Sequence, residues 1–382
     1  MAENKDKKVL NVPNKRFPEF KEEWKKCRFD KVATGFDYGM NAAAKAFDGE
    51  NKYIRITDID EGLSIYNDSD VVSPDGVLSD NYLVKERDIL LARTGASTGK
   101  SYLYRKTDGK LYYAGFLIRA NITDHSPYFV FAQLHTHRYW KWISTMSARS
   151  GQPGINSQEY ASFPISTTSI QEENKIATFL SLLDERIATQ NKIIDKFESL
   201  IKGTCNYCIN KISRQGAYKK LGEICHITTG KLDANAMVDD GKFPFFTCAA
   251  NPFNIDKYAF DTEALLISGN GANLGYINYY NGRFNAYQRT YVLDSFIENI
   301  QYIKFALKAT LPKRIEIEKS TSNTPYIVLS TLSEMKLPIP NKTIQNNVAG
   351  LMLSLENKLH FQVRLLEAYN QQKQYLLRQM FI

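Results

Sequence analysis

The chain has 382 residues, of which 43% are apolar and 12% aromatic, so it can build two or three globular domains with ordinary cores. Its 49 basic and 41 acidic residues leave a formal net charge of +8, which favours an anionic partner and also fits a basic soluble protein. The five cysteines are scattered, which excludes a disulfide-rich class. The sequence shows no secretory signal and no run of about 18 apolar residues, which excludes secreted and membrane-spanning classes. We therefore predict a cytoplasmic protein.

The first part of the chain is predicted to be an α+β domain. Apolar and aromatic runs (KYIRITDID, DILLAR, SYLYRK and LYYAGFLIRA) are separated by turn residues such as Gly62 and Gly109 and are predicted to form short strands. The stretch YFVFAQLHTHRYWKWISTM is predicted to form one short helix. We place an N-terminal tail at residues 1–16 and this domain at 17–162.

A glycine loop within this domain, ARTGASTGKSYLY, ends in Gly99-Lys100-Ser101 and raises the question of a nucleotide site. Gly95 and Gly99 enclose one residue fewer than a phosphate-binding P-loop requires. The residues that follow alternate like a strand, whereas a P-loop leads into a helix whose N-terminus faces the phosphate. We therefore predict a hairpin with a glycine turn and keep nucleotide binding as the least favoured alternative.

A long amphipathic helix is predicted next, within a helical spacer at residues 163–212. Apolar side chains recur at alternating steps of four and three residues, which is the a and d pattern of a coiled coil. The seam is Ile176, Leu180, Leu183, Ile187, Gln190, Ile194, Phe197 and Ile201. Cys205 and Cys208 follow on the same helix, but zinc is not favoured there, because a structural site needs a second close pair of ligands and only His226 is near.

A second α+β domain is predicted at residues 213–336, and it repeats the first. The segment EALLISGNGANLGYINYY matches RDILLARTGASTGKSYLY when Gly271 is laid on Gly95 and Gly275 on Gly99. WKKCRFDKVATG likewise matches YKKLGEICHITTG, and FPISTTSIQEENKIATFLSLLDERI matches LPIPNKTIQNNVAGLMLSLENKL. Three matched blocks in the same order indicate that one unit, a globular domain followed by a helix, is written twice.

The second helical spacer is placed at residues 337–382, with its helix at 342–382 as the counterpart of 170–210. Its seam is Val348, Met352, Leu355, Leu359, Gln362, Leu366 and Tyr369. Such helices need a partner, so we predict that they pair with each other. In an antiparallel pair Gln190 and Gln362, which share a layer near the middle of each helix, would meet and set the register.

The opening RFPEFKEEWKK, the repeated glycine hairpin and the PI…IQ entry to each helix resemble the DNA-specificity subunit of Type I restriction-modification enzymes. This resemblance implies two target-recognition domains alternating with two long helices that form an antiparallel coiled coil. It implies a subunit without a catalytic site that reads a bipartite, asymmetric sequence in double-stranded DNA. It also implies docking of modification (methyltransferase) subunits, two of them, and of restriction subunits, with S-adenosylmethionine on the former and ATP and Mg on the latter.

Residues that contact DNA are expected on turn tips and polar loops, where a β-rich scaffold presents side chains. Arginine, asparagine and glutamine are preferred because they hydrogen-bond guanine and adenine edges. In the first domain the candidates are Arg93, Thr94, Ser97, Lys100, Arg149 and Gln152. In the second domain they are Asn270, Asn273, Arg283, Gln288, Arg289 and Lys313.

Competing functions have weaker motifs. Asn251-Pro252-Phe253 lacks the second proline of the amino-methyltransferase loop and is predicted to be a turn. Glu50-x-Lys52 is a partial nuclease motif, but its Pro74-Asp75 pair comes later in the chain and the second half has no counterpart. A coiled-coil scaffold that does not read DNA stays as the main alternative, and salt-dependent DNA binding would separate the two.

Overall fold

The structure of the chain, a computed structural model, divides it into two compact units. The residues that it describes are 11–148, 154–214, 218–319 and 326–382. The first unit comprises Met1–Asn191 with Arg364–Ile382, and the second comprises Lys192–Val363. Each unit therefore contains one predicted α+β domain together with a segment of each long helix.

The first unit is mixed α and β, as predicted. Within its described part, the elements before the first long helix are β1 (Lys25–Arg28), β2 (Ala33–Tyr38), β3 (Ala43–Ala46), β4 (Lys52–Ile54), β5 (Val72–Asp75), β6 (Asp88–Ala92), β7 (Ser101–Leu103), β8 (Leu111–Tyr113), β9 (Leu117–Ile122), α1 (Pro127–Gln133), α2 (His137–Ser147), α3 (Ser157–Ser162) and β10 (Pro164–Thr167). An antiparallel sheet has the order β2-β9-β6-β7, while β1 pairs with β10, β3 with β5 and β4 with β8.

The central strand β6 is buried on both faces, because successive strand residues point to opposite sides. Ile89 and Leu91 pack into the core formed with α1, α2 and α3, whereas Leu90 and Ala92 pack into a second core under the short strands. Two apolar layers thus hold the end of β6 in place, and the glycine hairpin begins at that end.

Three sequence predictions for this unit were wrong in detail. The single helix predicted before Met146 is two helices, because Thr136 Oγ1 donates to the Gln133 carbonyl and accepts from the Tyr139 amide, which begins a new helix. The run LYYAGFLIRA is two strands, since the chain turns at Gly115 and only the second part joins the four-stranded sheet. The run KYIRITDID is a strand only as far as Ile54.

The first long helix, α4 (Ile170–Ser213), has nearly the predicted bounds. In the second unit, the elements that follow it within the described residues are β11 (Tyr218–Lys220), β12 (His226–Thr229), β13 (Phe243–Phe246), β14 (Phe253–Ile255), β15 (Phe260–Ser268), β16 (Ile277–Ala286), β17 (Thr290–Asp294), α5 (Ile300–Lys319), α6 (Leu329–Ser333), β18 (Lys336–Pro338) and α7 (Lys342–Met380). The main sheet has the order β12-β17-β15-β16-β13-β14, and β11 pairs with β18. The second long helix, α7, also has nearly the predicted bounds.

The second unit repeats the burial pattern of the first. On β15, Leu265 and Ile267 pack into the core formed with α5 and with segments of α4 and α7, whereas Leu266 packs into a smaller core on the other face. The predicted duplication is therefore present in the packing as well as in the sequence. None of the helices in the described part of the chain combines the length and apolar character that a bilayer crossing requires.

Segments of α4 and α7 run antiparallel within the first unit. Ile176 and Leu180 of α4 share a buried cluster with Leu377 of α7, while Asp184, further along α4, pairs with Lys373, which comes earlier on α7, at 2.7 Å. The helix pairing predicted from the heptad seam and the antiparallel direction implied by the resemblance are thus confirmed.

Two of the motifs that carried the family resemblance, the opening motif and the entry to the first helix, meet at the start of α4. Arg16 of the opening motif binds the fully buried Glu172 carboxylate through two nitrogens, at 2.6 and 2.7 Å, and the Trp24 indole donates to it at 3.2 Å. The neighbouring Glu173 accepts from the Ser126 amide at 3.0 Å and contacts His125 at 2.8 Å. Buried carboxylates need such partners, so these residues anchor α4 to the first domain.

Candidate nucleic-acid interface

The glycine loop of the first unit is a hairpin turn between β6 and β7. The Gly99 amide donates to the Ala92 carbonyl at 3.0 Å, and the Ala92 amide donates to the Lys100 carbonyl at 2.8 Å. Gly95 and Gly99 have φ values of 67° and 94°, a left-handed conformation that favours glycine. Because a strand begins directly after Lys100, this loop lacks the helix that a phosphate-binding P-loop presents to its ligand.

The second unit has the same turn between β15 and β16. The Gly275 amide donates to the Ser268 carbonyl at 2.8 Å, and the Ser268 amide donates to the Tyr276 carbonyl at 3.0 Å. Gly271 and Gly275 are again left-handed, with φ values of 77° and 81°. The predicted hairpin and its repetition are both confirmed.

A second backbone contact ties each hairpin to the neighbouring strand. In the first unit the Arg93 amide donates to the Phe116 carbonyl at 3.0 Å, and in the second the Gly269 amide donates to the Arg289 carbonyl at 2.8 Å. The Arg93 carbonyl accepts from the Ile155 amide, and the Gly269 carbonyl accepts from the Ile327 amide, both at 2.9 Å. Arg93 therefore corresponds to Gly269, and Phe116 corresponds to Arg289.

A cleft of about 660 Å³ opens beside Arg93 in the first unit. The Arg93 guanidinium lies 4.8 Å from the centroid of the Tyr38 ring, and the Tyr38 hydroxyl accepts a hydrogen bond from the Ser157 amide at 3.2 Å. Phe116 stands at the cleft with 58% of its surface exposed. Gly39 also lines the cleft, and a Cβ on it would lie 2.2 Å from the Ala114 carbonyl oxygen, so two backbone segments approach closely there.

Arg55, which also lines the cleft, and Lys100, on the hairpin, are both paired with acids. Lys100 binds Glu61 at 2.7 Å and lowers the pKa of that carboxyl. Arg55 binds Asp58 at 2.8 Å, and the Asp58 hydrogen bond raises the pKa of the guanidinium. Arg93 differs: its Nε is buried without a partner, and among the described residues its guanidinium donates to no carboxylate or carbonyl.

The remaining candidates of the first domain lie along the same turn or outside the described residues. Thr94 forms an isolated backbone bridge with Gly154, and Ser97 is half-buried at the end of the turn. Arg149 and Gln152 lie outside the residues that the structure describes. The structure thus brings Arg93, Thr94, Ser97 and Lys100 together on one hairpin.

In the second domain, four candidates cluster and two do not. Asn270 and Asn273 belong to the glycine turn, where the Asn273 amide group donates to the Cys248 carbonyl at 3.0 Å, and exposed Gln288 and Arg289 lie on the adjoining turn. Arg283 lies about 20 Å along the ladder, opposite Asp261 at 2.9 Å.

Lys313 is exposed on α5, the helix on which the turn packs. It lies two residues from Ile315, whose side chain faces Gly275, and residues two apart on a helix point to different sides. Lys313 is therefore not part of the hairpin surface.

Tyr38 and Phe116 are the residues of this surface that sequence reasoning missed. Tyr38 ends β2 and Phe116 directly precedes β9, both outside the glycine loop in sequence, and the pairing of β2 and β6 with β9 brings them beside Arg93. The duplication offered one signal for Phe116, because the matching strands of the two units place it at the same position as Arg289, a predicted DNA contact.

The paired helices carry a groove in each unit. In the first unit, a groove of about 660 Å³ is lined by Phe179, Leu182, Leu183, Glu185, Arg186, Thr189, Gln190, Tyr369 and Gln372. In the second, a groove of about 490 Å³ is lined by Gly350, Leu353, Ser354, Asn357, Lys358, Phe361 and Gln362. The sequence repeat aligns Arg186 with Lys358 and Gln190 with Gln362, so the α4 side of the first groove corresponds to the second groove, whose lining comes from α7 alone.

Gln190 is buried, with 4% of its surface exposed, and Gln362 is half-buried. These glutamines belong to different units, and their pairing across the helices stays a prediction.

Known proteins resemble the chain along most of its length. A family model described as the Type I restriction modification DNA specificity domain matches residues 21–199 and 216–367. The Type I restriction enzyme EcoDI specificity subunit of Escherichia coli is 39% identical over 130 residues, which are 34% of this chain and 29% of that protein. The match thus spans less than two thirds of that relative.

Two solved structures share the fold. The Type-I restriction-modification system S subunit from M. genitalium superposes with a TM-score of 0.67 at 18% identity and covers 97% of this chain and 99% of that one. A chain from a study of complex assembly and conformational transition of the type I R-M system gives 0.56 at 16% identity, with coverages of 96% and 98%. At such identities these structures establish the fold alone.

Proposed function

We propose that this chain, which belongs to the Type I restriction modification DNA specificity family, reads a bipartite, asymmetric sequence in double-stranded DNA. In this proposal it is a non-catalytic subunit that works in the cytoplasm. It directs partner methyltransferase and restriction subunits to the sequence that it has bound.

The observation that carries the proposal is the repeated hairpin with unlike side chains. Both units build the same turn with the same backbone hydrogen bonds, yet Arg93 is replaced by Gly269, Phe116 by Arg289 and Lys100 by Tyr276. A shared backbone scaffold with different side chains is typical of two domains that both bind DNA but recognise different base sequences. The two half-sites are therefore expected to differ.

The presence of a helix groove in each unit supports docking of two modification subunits. Each groove has exposed apolar side chains beside a basic one: Leu182 with Arg186 in the first unit, and Phe361 with Lys358 in the second. An apolar patch rimmed by polar groups is typical of a protein contact. S-adenosylmethionine is assigned to the modification subunits, and ATP and Mg to the restriction subunits.

Methylation mapping tests the proposal. The chain is co-expressed with its methyltransferase subunit, and methylated adenines are mapped across the host genome. The expected result is one motif with two unlike half-sites separated by a fixed gap. Methylation without a motif, or at one continuous site, would contradict the proposal. Alanine at both Arg93 and Lys100 should weaken one half-site only, and an unchanged pattern would remove the hairpin from the interface.

DNA binding by the purified chain separates this function from that of a scaffold. A reader that neutralises phosphates loses affinity steeply as salt rises, because counterions are released on binding. A coiled-coil scaffold with this net charge would hold duplex DNA only at low salt and with no preference for one sequence.

A further inference from the structure

Two backbone positions at the hairpin are joined by a hydrogen bond in both units. Each unit has an arginine at one of these two positions, but the position differs between the units. The first position, directly after β6 or β15, is Arg93 in one unit and Gly269 in the other. The second, directly before β9 or β17, is Phe116 and Arg289. Resting on the proposed function, we propose that this arginine reads a guanine in each half-site: Arg93 in one and Arg289 in the other.

Arg93 is held in place but its donors are unused. Its amide and carbonyl are fixed by Phe116 and Ile155, its guanidinium lies on the Tyr38 ring, and Tyr38 is itself held by Ser157. Within the described residues its guanidinium makes no hydrogen bond, and its buried Nε lacks a partner. Its terminal nitrogens therefore remain available to donate to the acceptors of a ligand.

The nearby arginines are not available in the same way. Arg55 is bound to Asp58 and Asp70, and Arg119 donates to Asp37 at 3.1 Å and to the Asn81 carbonyl at 3.0 Å. Reading a base with either side chain would first require breaking an ion pair. Arg93 pays no such cost, because the partner that positions it is an aromatic face.

The chemistry of the cleft favours a base edge over a phosphate. Beside Arg93 it is lined mainly by apolar groups, among them Met40, Ala42, Tyr53 and Phe116. A phosphate would need further donors or cations, whereas the planar edge of guanine presents O6 and N7 as two acceptors that match the guanidinium fork. The exposed Phe116 ring adds an apolar surface for the neighbouring base.

Steric crowding explains why the arginine changes strand in the second unit. A Cβ on Gly269 would lie 2.5 Å from the carbonyl oxygen of Arg289, so no side chain fits at the first position. The reading side chain must then come from the second position, where Arg289 is exposed. Its guanidinium also makes no hydrogen bond to the described residues. The arginine thus comes from the donor residue of the backbone hydrogen bond between the two positions in the first unit (Arg93) and from the acceptor residue in the second (Arg289).

The test selects sequences with the full chain from a pool of duplexes randomised over both half-sites. For the wild type, each half-site is expected to contain a guanine. Arg93→Gln should reduce the preference for one guanine by about 5- to 150-fold and leave every other position unchanged. Arg289→Gln should do the same in the other half-site. Arg105→Gln, at an exposed arginine remote from the hairpin tip, is the matched control and should change no position.

Three results would overturn the assignment. Unchanged guanine preferences in both variants would refute it, and so would an equal loss of affinity for all sequences, which marks a phosphate contact. A wild type that selects a sequence without guanine in either half-site would also refute it while leaving the proposed function intact. A wild type that selects no sequence would refute the proposed function itself. If Arg93→Gln melts below the wild type, Arg93→Lys, which keeps the stem and charge, is measured instead.

Discussion

Replacing one glycine of the hairpin by alanine should destabilise the first unit far more than replacing the other. Gly95 and Gly99 are both left-handed, so alanine costs about 1–2 kcal/mol at either, offset by about 0.4–1 kcal/mol from the less flexible unfolded chain. They differ in the space around them. A Cβ on Gly95 meets nothing within 4 Å, whereas one on Gly99 would lie 2.9 Å from the Trp140 ring and 3.0 Å from Ile143.

The overlap sets the magnitude. Overpacking of this kind costs about 1–3 kcal/mol. The cost falls mainly on Ile143, which is buried in the core and has little room to move, whereas the Trp140 ring is exposed and can shift. We therefore expect a loss of about 1 kcal/mol for Gly95→Ala and about 2–4 kcal/mol for Gly99→Ala.

Tryptophan fluorescence during urea unfolding measures the difference. Trp24, Trp140 and Trp142 all belong to the first unit, so the signal follows this unit alone. Equal losses for the two variants would refute the packing of the turn against α2. A gain in stability for Gly95→Ala would refute the left-handed conformation.

Three further outcomes are expected. The purified chain should not hydrolyse ATP, because a strand follows Lys100; turnover that Lys100→Ala abolishes would contradict this. The Gln190→Leu, Gln362→Leu double variant should melt at higher temperature yet lose its fixed methylation spacing, and unaltered spacing would reject the register role. The Glu173 hydrogen bond raises the pKa of His125 above 6.5, so its stabilisation is fully present below the unfolded-state pKa and is lost as pH rises through the folded-state pKa. The melting temperatures of wild type and His125→Asn should therefore converge with rising pH, and a constant gap would exclude the ion pair.

Local patterns in the sequence determined much of this protein. The heptad spacing predicted α4 and α7 nearly to the residue, and paired glycines predicted both hairpins. These features depend on residues only a few positions apart, since helical period and turn conformation are set within one or two turns of chain. The duplication and the opening motif identified the family for the same reason, because both are visible without knowing which strands pair.

Contacts between remote segments were decided by tertiary structure alone. Local apolar content favoured one helix where Thr136 begins a second, and it favoured one strand where the chain turns at Gly115. Composition did not distinguish Lys100, paired with Glu61, from Arg93, which rests on Tyr38. Such partners are chosen by strand register, and register depends on burial across the whole sheet and not on the neighbours of a residue along the chain.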